Sequence, residues 1–413
     1  MNPSVHLSRA ERARPACAVA AGWRVAGLAA AVAALPMAGQ AADGQALAAP
    51  AVSYEIIHKV DGDDGFVPNG TPAIGPDGAL YGTTGFGAAY SHGASFKITT
   101  SDRFKLLQAF GAPGTPQLSP RGALTLAGDG NFYGGGSGSG VDNHGAIYRM
   151  TPKGATTTLF DLDTSSCENP ASDLALASDG KLYGITSSGG ANGRGCIYSV
   201  STDGVFTLLH SLSAAEGGVD SNSKLDVASD GYLYGTTAYG GSHGGGTLYR
   251  ISTTGAYETL YSFVSTSQSP DQPVTPQPGL VEGPDGLLYG TSFSGGAEDS
   301  GLLFAITKDG SRLSVVHDFA KSGKGLHPTG QLMLGSDGQL YGATYKGSIR
   351  GPGHYYRVTL DGQYTKLHQA DRELKESSAL QGRMIETSPG VFYGTTGTGG
   401  KYTQGTVFKM QVN

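Results

Sequence analysis

The apolar residues of this chain occur in short runs of strand length. Between residues 224 and 263 the runs read KLDVA, YLYGT, TLYRI and YETLYSF, and Asp-Gly, Thr-Gly or Gly-rich segments separate them. Short runs of β-branched and aromatic residues bounded by turn residues predict strands, and Asp-Gly predicts a two-residue hairpin turn. The pattern therefore predicts four consecutive antiparallel strands, which we label a, b, c and d.

The same pattern occurs seven times along the chain. Its core reads DGYLYGTTAYGGSHGGGTLY at 230–249, and the central tyrosines of the copies are Tyr81, Tyr133, Tyr183, Tyr234, Tyr289, Tyr341 and Tyr393. A period of 50 to 55 residues with four strands per repeat predicts one propeller blade per repeat. An open solenoid would need polar capping repeats, and isolated modules of this size would bury too little surface, so a closed ring is favoured.

The two ends of the chain also favour closure. Tyr54 to Val60 matches the d strands of other repeats, and the last repeat ends at Thr406 to Val412 with a c strand and no d strand. Pairing these segments would remove the open sheet edges. We therefore predict an all-β fold for residues 53–413, a seven-bladed β-propeller with four antiparallel strands per blade, closed by pairing of the N-terminal strand with the C-terminal blade. Residues 42–52 would form a short linker.

Residues 1–41 have the features of a signal peptide. Arginines precede an apolar run from Val25 to Ala34, and small residues occupy Gly39 and Ala41. The run is shorter than the roughly 20 residues that span a bilayer. We expect cleavage near Ala41, a periplasmic or extracellular protein, and no membrane span after the leader is removed.

Composition narrows the possible partners. The leader carries four arginines and one glutamate, so its removal changes the net charge from -6 to -9, and nucleic-acid binding is not expected. The single tryptophan, Trp23, lies in the leader, which disfavours the propeller families that repeat a tryptophan. Cys167 and Cys196 remain, and in an oxidising compartment we predict a disulfide between them within the third repeat.

The repeated motif also indicates a family. The pattern D-G-x-L-Y-G-T-T-x-x-G-G followed by G-T-V-F resembles the bacterial GloVer repeat, which is found in choice-of-anchor surface proteins. The resemblance covers nearly all of the chain after the leader and implies a secreted, propeller-like array. It implies no particular reaction and no catalytic residues.

The two faces of the predicted ring differ in their loops. The a–b and c–d turns form a short-turn face, whereas the longer b–c loops and d–a connections form a long-loop face, where binding groups are expected. Histidines, cations and aromatic rings on that face suit an anionic carbohydrate. The predicted substrate-binding residues are His92, His144, Arg194, His243, Tyr239, Phe293, Lys346, Arg372 and Arg383.

Three functions remain open from the sequence. A polysaccharide lyase would neutralise a uronate carboxylate and remove the neighbouring proton, and the residues predicted for this role are His327, His354, Tyr345 and Arg350. A glycoside hydrolase would use paired loop acids, and those available are Glu168, Asp220, Glu298 and Asp299. A non-catalytic scaffold would bind a protein or glycan. We expect a monomer with no cofactor. We also expect no metal, because the histidine spacing follows the repeat period and not the spacing of metal ligands.

Overall fold

The computed structural model describes residues 50–413 except 139, 141, 164–166, 171–172, 218–223, 266–271, 320–324, 348–350, 372–383 and 401–402. In this part of the chain the regular structure consists of β-strands in seven antiparallel sheets. This confirms the predicted seven-bladed propeller. The described residues contain no helix long and apolar enough to cross a membrane. The predicted leader and most of the linker lie outside the described residues.

In blades one to six the strands follow one another in chain order, from the inner a strand to the outer d strand. The first strand of the chain is β1 (Val52–Lys59), which belongs to blade seven. Blade one contains β2 (Phe66–Ile74), β3 (Leu80–Phe86), β4 (Ala94–Ile98) and β5 (Phe104–Ala109). Blade two contains β6 (Thr125–Leu126), β7 (Phe132–Gly136), β8 (Ala146–Met150) and β9 (Thr156–Asp161). Blade three contains β10 (Glu168–Pro170), β11 (Ala175–Leu176), β12 (Leu182–Ser188), β13 (Cys196–Val200) and β14 (Phe206–Ser211).

The remaining blades repeat this order. Blade four contains β15 (Asp226–Val227), β16 (Leu233–Thr237), β17 (Gly244–Ile251) and β18 (Tyr257–Val264). Blade five contains β19 (Val274–Pro276), β20 (Val281–Glu282), β21 (Leu288–Ser294), β22 (Leu302–Ile306) and β23 (Leu313–Asp318). Blade six contains β24 (Leu326–Leu334), β25 (Leu340–Lys346), β26 (His354–Val358) and β27 (Tyr364–Gln369). Blade seven contains β28 (Met384–Ser388), β29 (Val391–Thr396), β30 (Thr406–Val412) and then β1.

The core is divided among the blade interfaces. A cluster of buried apolar side chains lies between each pair of neighbouring blades. The cluster between blades seven and one contains Leu80, Phe96, Tyr393 and Val407, so this interface is packed like the others. Burial of apolar surface therefore continues around the whole ring.

The Asp-Gly turn differs from the two-residue turn that the sequence predicts. In blade four the loop has three residues, Ser229-Asp230-Gly231, because the N–H of Ala228 donates to the carbonyl of Tyr232 (3.0 Å). Of the three, only the glycine has a positive φ, +81°, as in a type I turn followed by a left-handed residue. The aspartate accepts a hydrogen bond from the Tyr234 hydroxyl (2.8 Å), which explains why both residues recur.

Two other repeated residues also have structural roles. A side chain at Gly235 would collide with the ring of Tyr249, so the glycine of LYG makes room for the aromatic residue of the c strand. The Oγ1 atom of Thr237 accepts the backbone N–H of Thr247 (3.0 Å), which satisfies a buried donor in strand c. The repeated core of the motif is therefore explained by folding.

Closure joins the two ends of the described chain as predicted. Strand β1 pairs antiparallel with β30, with Val52 opposite Val412. Blade seven has Pro389 where the other repeats have aspartate, and its Tyr393 instead donates to Asp102 of blade one (2.7 Å). Burial alone would raise the pKa of Asp102, but hydrogen bonds from Lys409 and Tyr393 outweigh it and hold that pKa below its usual value.

Candidate functional site

The central channel has a cavity at its long-loop end. This mouth cavity has a volume of about 260 Å³ and is bounded by the first parts of strands β2 and β24, by d–a connections and by the ends of b strands. Its polar and aromatic lining residues are Arg121, Gln277, Phe293, Thr329, Gln331, Tyr345 and Thr395. A second, mostly apolar cavity of about 400 Å³ lies between the a strands, and Gln331 lines both.

The repeat shows which lining residues are unusual. The third residue after the glycine of each LYG motif is Gly85, Ser137, Ser187, Ala238, Phe293, Tyr345 or Gly397. This position is small in five blades and aromatic in blades five and six, where both rings line the mouth cavity. Since the smaller residues support the same fold, folding alone does not require these two rings.

Arg121 supplies positive charge to the cavity. Among the described lining residues it is the only charged one, and it lies on the d–a connection after Pro120, where other described blades have neutral residues. Its Nε–H donates to the hydroxyl of Ser137 (2.5 Å), and its guanidinium carbon lies 5.8 Å from the ring centroid of Phe86. No described carboxylate forms an ion pair with it. The cavity therefore favours an anionic group.

His327 contacts one of the two aromatic residues of the mouth cavity without lining the cavity itself. Its ring stacks on Phe293 with centroids 4.4 Å apart, and the register of β24 and β25 places it opposite Tyr345. Its Nδ1 lies 2.8 Å from the carbonyl oxygen of Phe293. Because a carbonyl only accepts, Nδ1 must carry the proton, and Nε2 is the basic nitrogen of the neutral ring.

The backbone of His327 is a feature of the repeat. Its φ of +55° recurs before the prolines of three other blades, at Val67, Asn169 and Thr275. Its N–H donates to the carbonyl of Ser300 in the preceding blade (2.8 Å). The positive φ is therefore a feature of the connection between blades, whereas the imidazole occurs at this position only in blade six among these four blades.

His354 lies in the core of blade six, which differs from the loop position that the sequence suggests. The residue is 1% exposed, and its Nε2 is hydrogen-bonded to the Tyr364 hydroxyl. Burial, with a smaller contribution from the charge of Lys366, lowers its pKa to about 4. It begins strand β26, at the position that holds Ala94, Ala146, Cys196, Thr247, Leu302 and Thr406 in the other blades. From this position it cannot contact a polysaccharide.

The other predicted residues are distributed around the long-loop face. His92, His144, Arg194, His243 and Tyr239 belong to blades one to four, and none of them lines the mouth cavity. Lys346 is closer, with its ammonium 5.7 Å from the ring centroid of Tyr345. Arg350, Arg372 and Arg383 lie outside the described residues. The structure thus groups Phe293 and Tyr345, which line the mouth cavity, with His327 and Lys346, which contact these two rings.

The loop acids considered for a hydrolase are not paired at the mouth, as far as the structure describes them. Glu168 Oε1 lies 3.2 Å from the Nδ1 of His144, and Asp299 accepts the backbone N–H of Gly295 (2.8 Å). Neither these acids nor Glu298 lines the mouth cavity, and Asp220 lies outside the described residues. Within the described chain, no group of three or more His, Cys, Asp or Glu residues could hold a metal.

Sequence reasoning did not select the five other polar residues that line the cavity, namely Arg121, Gln277, Thr329, Gln331 and Thr395. The sequence does distinguish Arg121. It directly follows a proline near the start of its blade, and it is charged where the residues that follow the equivalent prolines are neutral. The equivalent residues are Asn69, Ala171, Gln277 and Thr329. Aligning the connections as well as the strands would have identified it.

The structure contains the predicted disulfide. Cys167, at the entry to blade three, is joined to Cys196 at the start of strand β13, with Cα atoms 6.1 Å apart. Both residues are fully buried. The bond therefore links the d–a connection to the end of the b–c loop, as the sequence predicts.

Comparison with known proteins supports the fold and the family. The chain is similar in structure to oligogalacturonate lyase from Vibrio parahaemolyticus, with 11% identity and a TM-score of 0.55 over 89% of this chain and 99% of the lyase. It is also similar to puromycin hydrolase, with 11% identity and a TM-score of 0.53 over 83% of this chain and 52% of the hydrolase. At these identities the likeness shows the propeller fold alone.

No curated protein matches the chain. The family model of the Gloeobacter/Verrucomicrobia repeat, by contrast, matches residues 67–277 and 222–413. These ranges include every repeat after the first strand of the chain and agree with the motif resemblance in the sequence. The chain therefore belongs to the Gloeobacter/Verrucomicrobia repeat family.

Proposed function

We propose that this protein binds an acidic polysaccharide in the mouth cavity. The observation that carries the proposal is the departure of three lining residues from their repeat positions, with Phe293 and Tyr345 aromatic and Arg121 cationic. Residues that the fold does not require are candidates for function. The fold itself is compatible with many functions and does not decide among them.

The chemistry of the lining fits a uronate sugar. A guanidinium group binds a carboxylate through charge-assisted, commonly bidentate hydrogen bonds. The rings of Phe293 and Tyr345 offer apolar surface to the C–H groups of a sugar. The side chains of Gln277 and Gln331, also in the lining, supply donors and acceptors for hydroxyl groups.

A second candidate function is cleavage of the bound chain by β-elimination. Its support is the basic Nε2 of His327, fixed by the contact from Nδ1 to the Phe293 carbonyl. In this reaction a base removes the proton next to the uronate carboxylate, a carbon–carbon double bond forms, and the glycosidic C–O bond breaks. The departing oxygen takes up a proton, and Arg121 would neutralise the carboxylate. A non-catalytic scaffold is the alternative for the same cavity.

We also propose that the protein works in the periplasm or outside the cell. The buried disulfide between Cys167 and Cys196 supports this proposal, because disulfides persist in oxidising compartments. Sequencing the N-terminus of the protein recovered from periplasm and medium would test it. Recovery from the cytosol with both thiols reduced would contradict it.

The binding proposal is tested by titration calorimetry with uronate polymers and with neutral polymers of similar length. We expect the uronate polymers to bind more tightly, and Arg121→Gln to weaken their binding roughly 10- to 100-fold, since a hydrogen bond to a charged group is worth about 1.5–3 kcal/mol. Arg312→Gln is the matched control, because Arg312 is an exposed arginine on a c–d turn of the short-turn face. Equal affinity for neutral and uronate polymers would overturn the proposal.

Cleavage is tested by the ultraviolet absorbance of unsaturated sugar products. If His327 is the base, His327→Gln abolishes product formation while the dissociation constant for the polymer changes little. An inactive wild-type protein that still binds the polymer would identify a scaffold. Product formation that survives His327→Gln would exclude His327 as the base.

A further inference from the structure

We infer that Phe86 and Ser137 are positioning residues, which hold Arg121 so that its outer edge accepts a planar carboxylate. This inference rests on the proposed binding of an acidic polysaccharide and specifies how the cavity would select its ligand. Phe86 belongs to blade one, whereas Ser137 and Arg121 belong to blade two.

Two different contacts restrain the guanidinium group. Ser137 accepts a hydrogen bond from Nε–H at 2.5 Å, and the ring of Phe86 lies 5.8 Å from the guanidinium carbon. An exposed arginine is otherwise conformationally free and loses that freedom when it binds a ligand. Restraint before binding reduces this entropic cost.

The contacts also leave the appropriate atoms for a ligand. Ser137 uses the Nε–H, and the described contacts of Arg121 include no hydrogen bond or ion pair from its two terminal nitrogens. These nitrogens form the fork that takes both oxygens of a carboxylate in parallel hydrogen bonds. Arg121 lines the mouth cavity, so a carboxylate of a ligand in the cavity is the group that this fork would bind.

Phe86 is itself supported from within its blade. It pairs with Phe66 across strands β2 and β3, and their rings stack with centroids 6.3 Å apart. A side chain at Gly87 would collide with the Phe66 ring, so the glycine preserves this arrangement. Phe86 is nevertheless 39% exposed. A role beside the Arg121 cation accounts for a large apolar side chain at this exposed place.

The inference predicts selection for the free acid. A methyl-esterified uronate has no charge and cannot accept the two parallel charge-assisted bonds, so its affinity should depend little on the orientation of Arg121. The affinity of the free acid should depend strongly on it. The ratio of the two affinities is therefore a readout of positioning that general damage to the fold would not change.

The experiment compares a uronate oligosaccharide with its methyl ester by titration calorimetry. We expect Phe86→Leu and Ser137→Ala each to weaken binding of the free acid roughly threefold to tenfold, with the affinity for the ester unchanged. Phe86→Tyr should restore the wild-type ratio because it keeps the aromatic face. In an Arg121→Gln background, Phe86→Leu should have no further effect.

Two control variants come from the repeat. Tyr232→Leu removes a similar cation–π contact, with Arg250 at 4.7 Å, beside an a–b turn of the short-turn face. Ser187→Ala changes the residue of blade three that is equivalent to Ser137. Both controls should bind both ligands like the wild type.

Equal weakening of acid and ester by Phe86→Leu, or additive losses with Arg121→Gln, would overturn the inference. So would the same change of ratio in the Tyr232→Leu control. Failure of the wild-type protein to bind any uronate would instead reject the proposed function. The two failures are therefore distinguishable.

Discussion

Blades three and six fill the same two positions of the repeat with different chemistry. At the entry of the a strand and the start of the c strand, blade three has Cys167 and Cys196 joined by a disulfide. Blade six has Gly325 and His354 there, and a side chain at Gly325 would contact the His354 ring. One blade is thus held by a covalent bond and the other by a buried imidazole.

The difference shows that the repeat fixes the position of a stabilising side chain at the start of strand c, but not the chemistry of that side chain. In both blades a threonine of the b strand accepts the N–H of the first c-strand residue, at 3.1 Å from Thr186 and 3.2 Å from Thr344. The side chain of that first residue differs, because Cys196 is bonded to Cys167 whereas His354 is hydrogen-bonded to Tyr364 of the d strand. The stability of blade three should therefore depend on redox conditions, and that of blade six on pH.

The largest expected effect is the loss of the disulfide. The double variant Cys167→Ala/Cys196→Ala should lower the free energy of unfolding by about 3 kcal/mol, because the reduced unfolded chain regains conformational freedom. Urea unfolding of the oxidised proteins measures this difference. A reductant should destabilise the wild type to the level of the variant and leave the variant unchanged. Equal stability of the oxidised wild type and the variant would contradict the prediction.

The next effect distinguishes blade six. The pKa of His354 is lowered to about 4, so the unfolded chain takes up more protons than the folded chain as the pH falls below about 6.5. This group should therefore lower the free energy of unfolding by about 2 kcal/mol at pH 5 relative to pH 8. His354→Thr, which installs the residue of blade four, should remove that part of the pH dependence.

Urea midpoints between pH 8 and pH 4 test this prediction. The cysteine double variant is the control, and it should retain the wild-type pH dependence although its stability is lower throughout. An unchanged pH profile in His354→Thr would mean that the imidazole does not titrate as its burial implies.

The smallest effect concerns the threonine hydrogen bond that the two blades share. Thr186→Val and Thr344→Val each leave a buried N–H without its acceptor, so each should cost roughly 1–2 kcal/mol. Chemical denaturation at pH 8 should give similar losses for both variants if the threonine acts alike in the two blades. A large loss in only one blade would show that the neighbouring disulfide or imidazole changes the role of the threonine.

The ring, the blades, the closure and the disulfide were predictable from the sequence, because a repeat reveals which residues every blade needs. The mouth cavity was harder to predict from the repeat. Whether a loop residue faces the channel depends on contacts between blades, as in Arg121, which reaches Phe86 of the preceding blade. His354 was misplaced because the sequence does not show whether the residue after Gly353 ends the loop or begins the strand.

The paired ends of the chain also determine which face of the molecule is exposed when the protein is attached to a solid support. Val412 donates its N–H to the carbonyl of Gly390 (2.9 Å), in the a–b turn of blade seven, and Val52 lies opposite Val412. The last strand therefore finishes beside the short turns, at the end of the channel away from Arg121 and Tyr345. A support attached through a tag after Asn413 would leave the opposite end accessible, so that even a long polymer could approach it without steric hindrance.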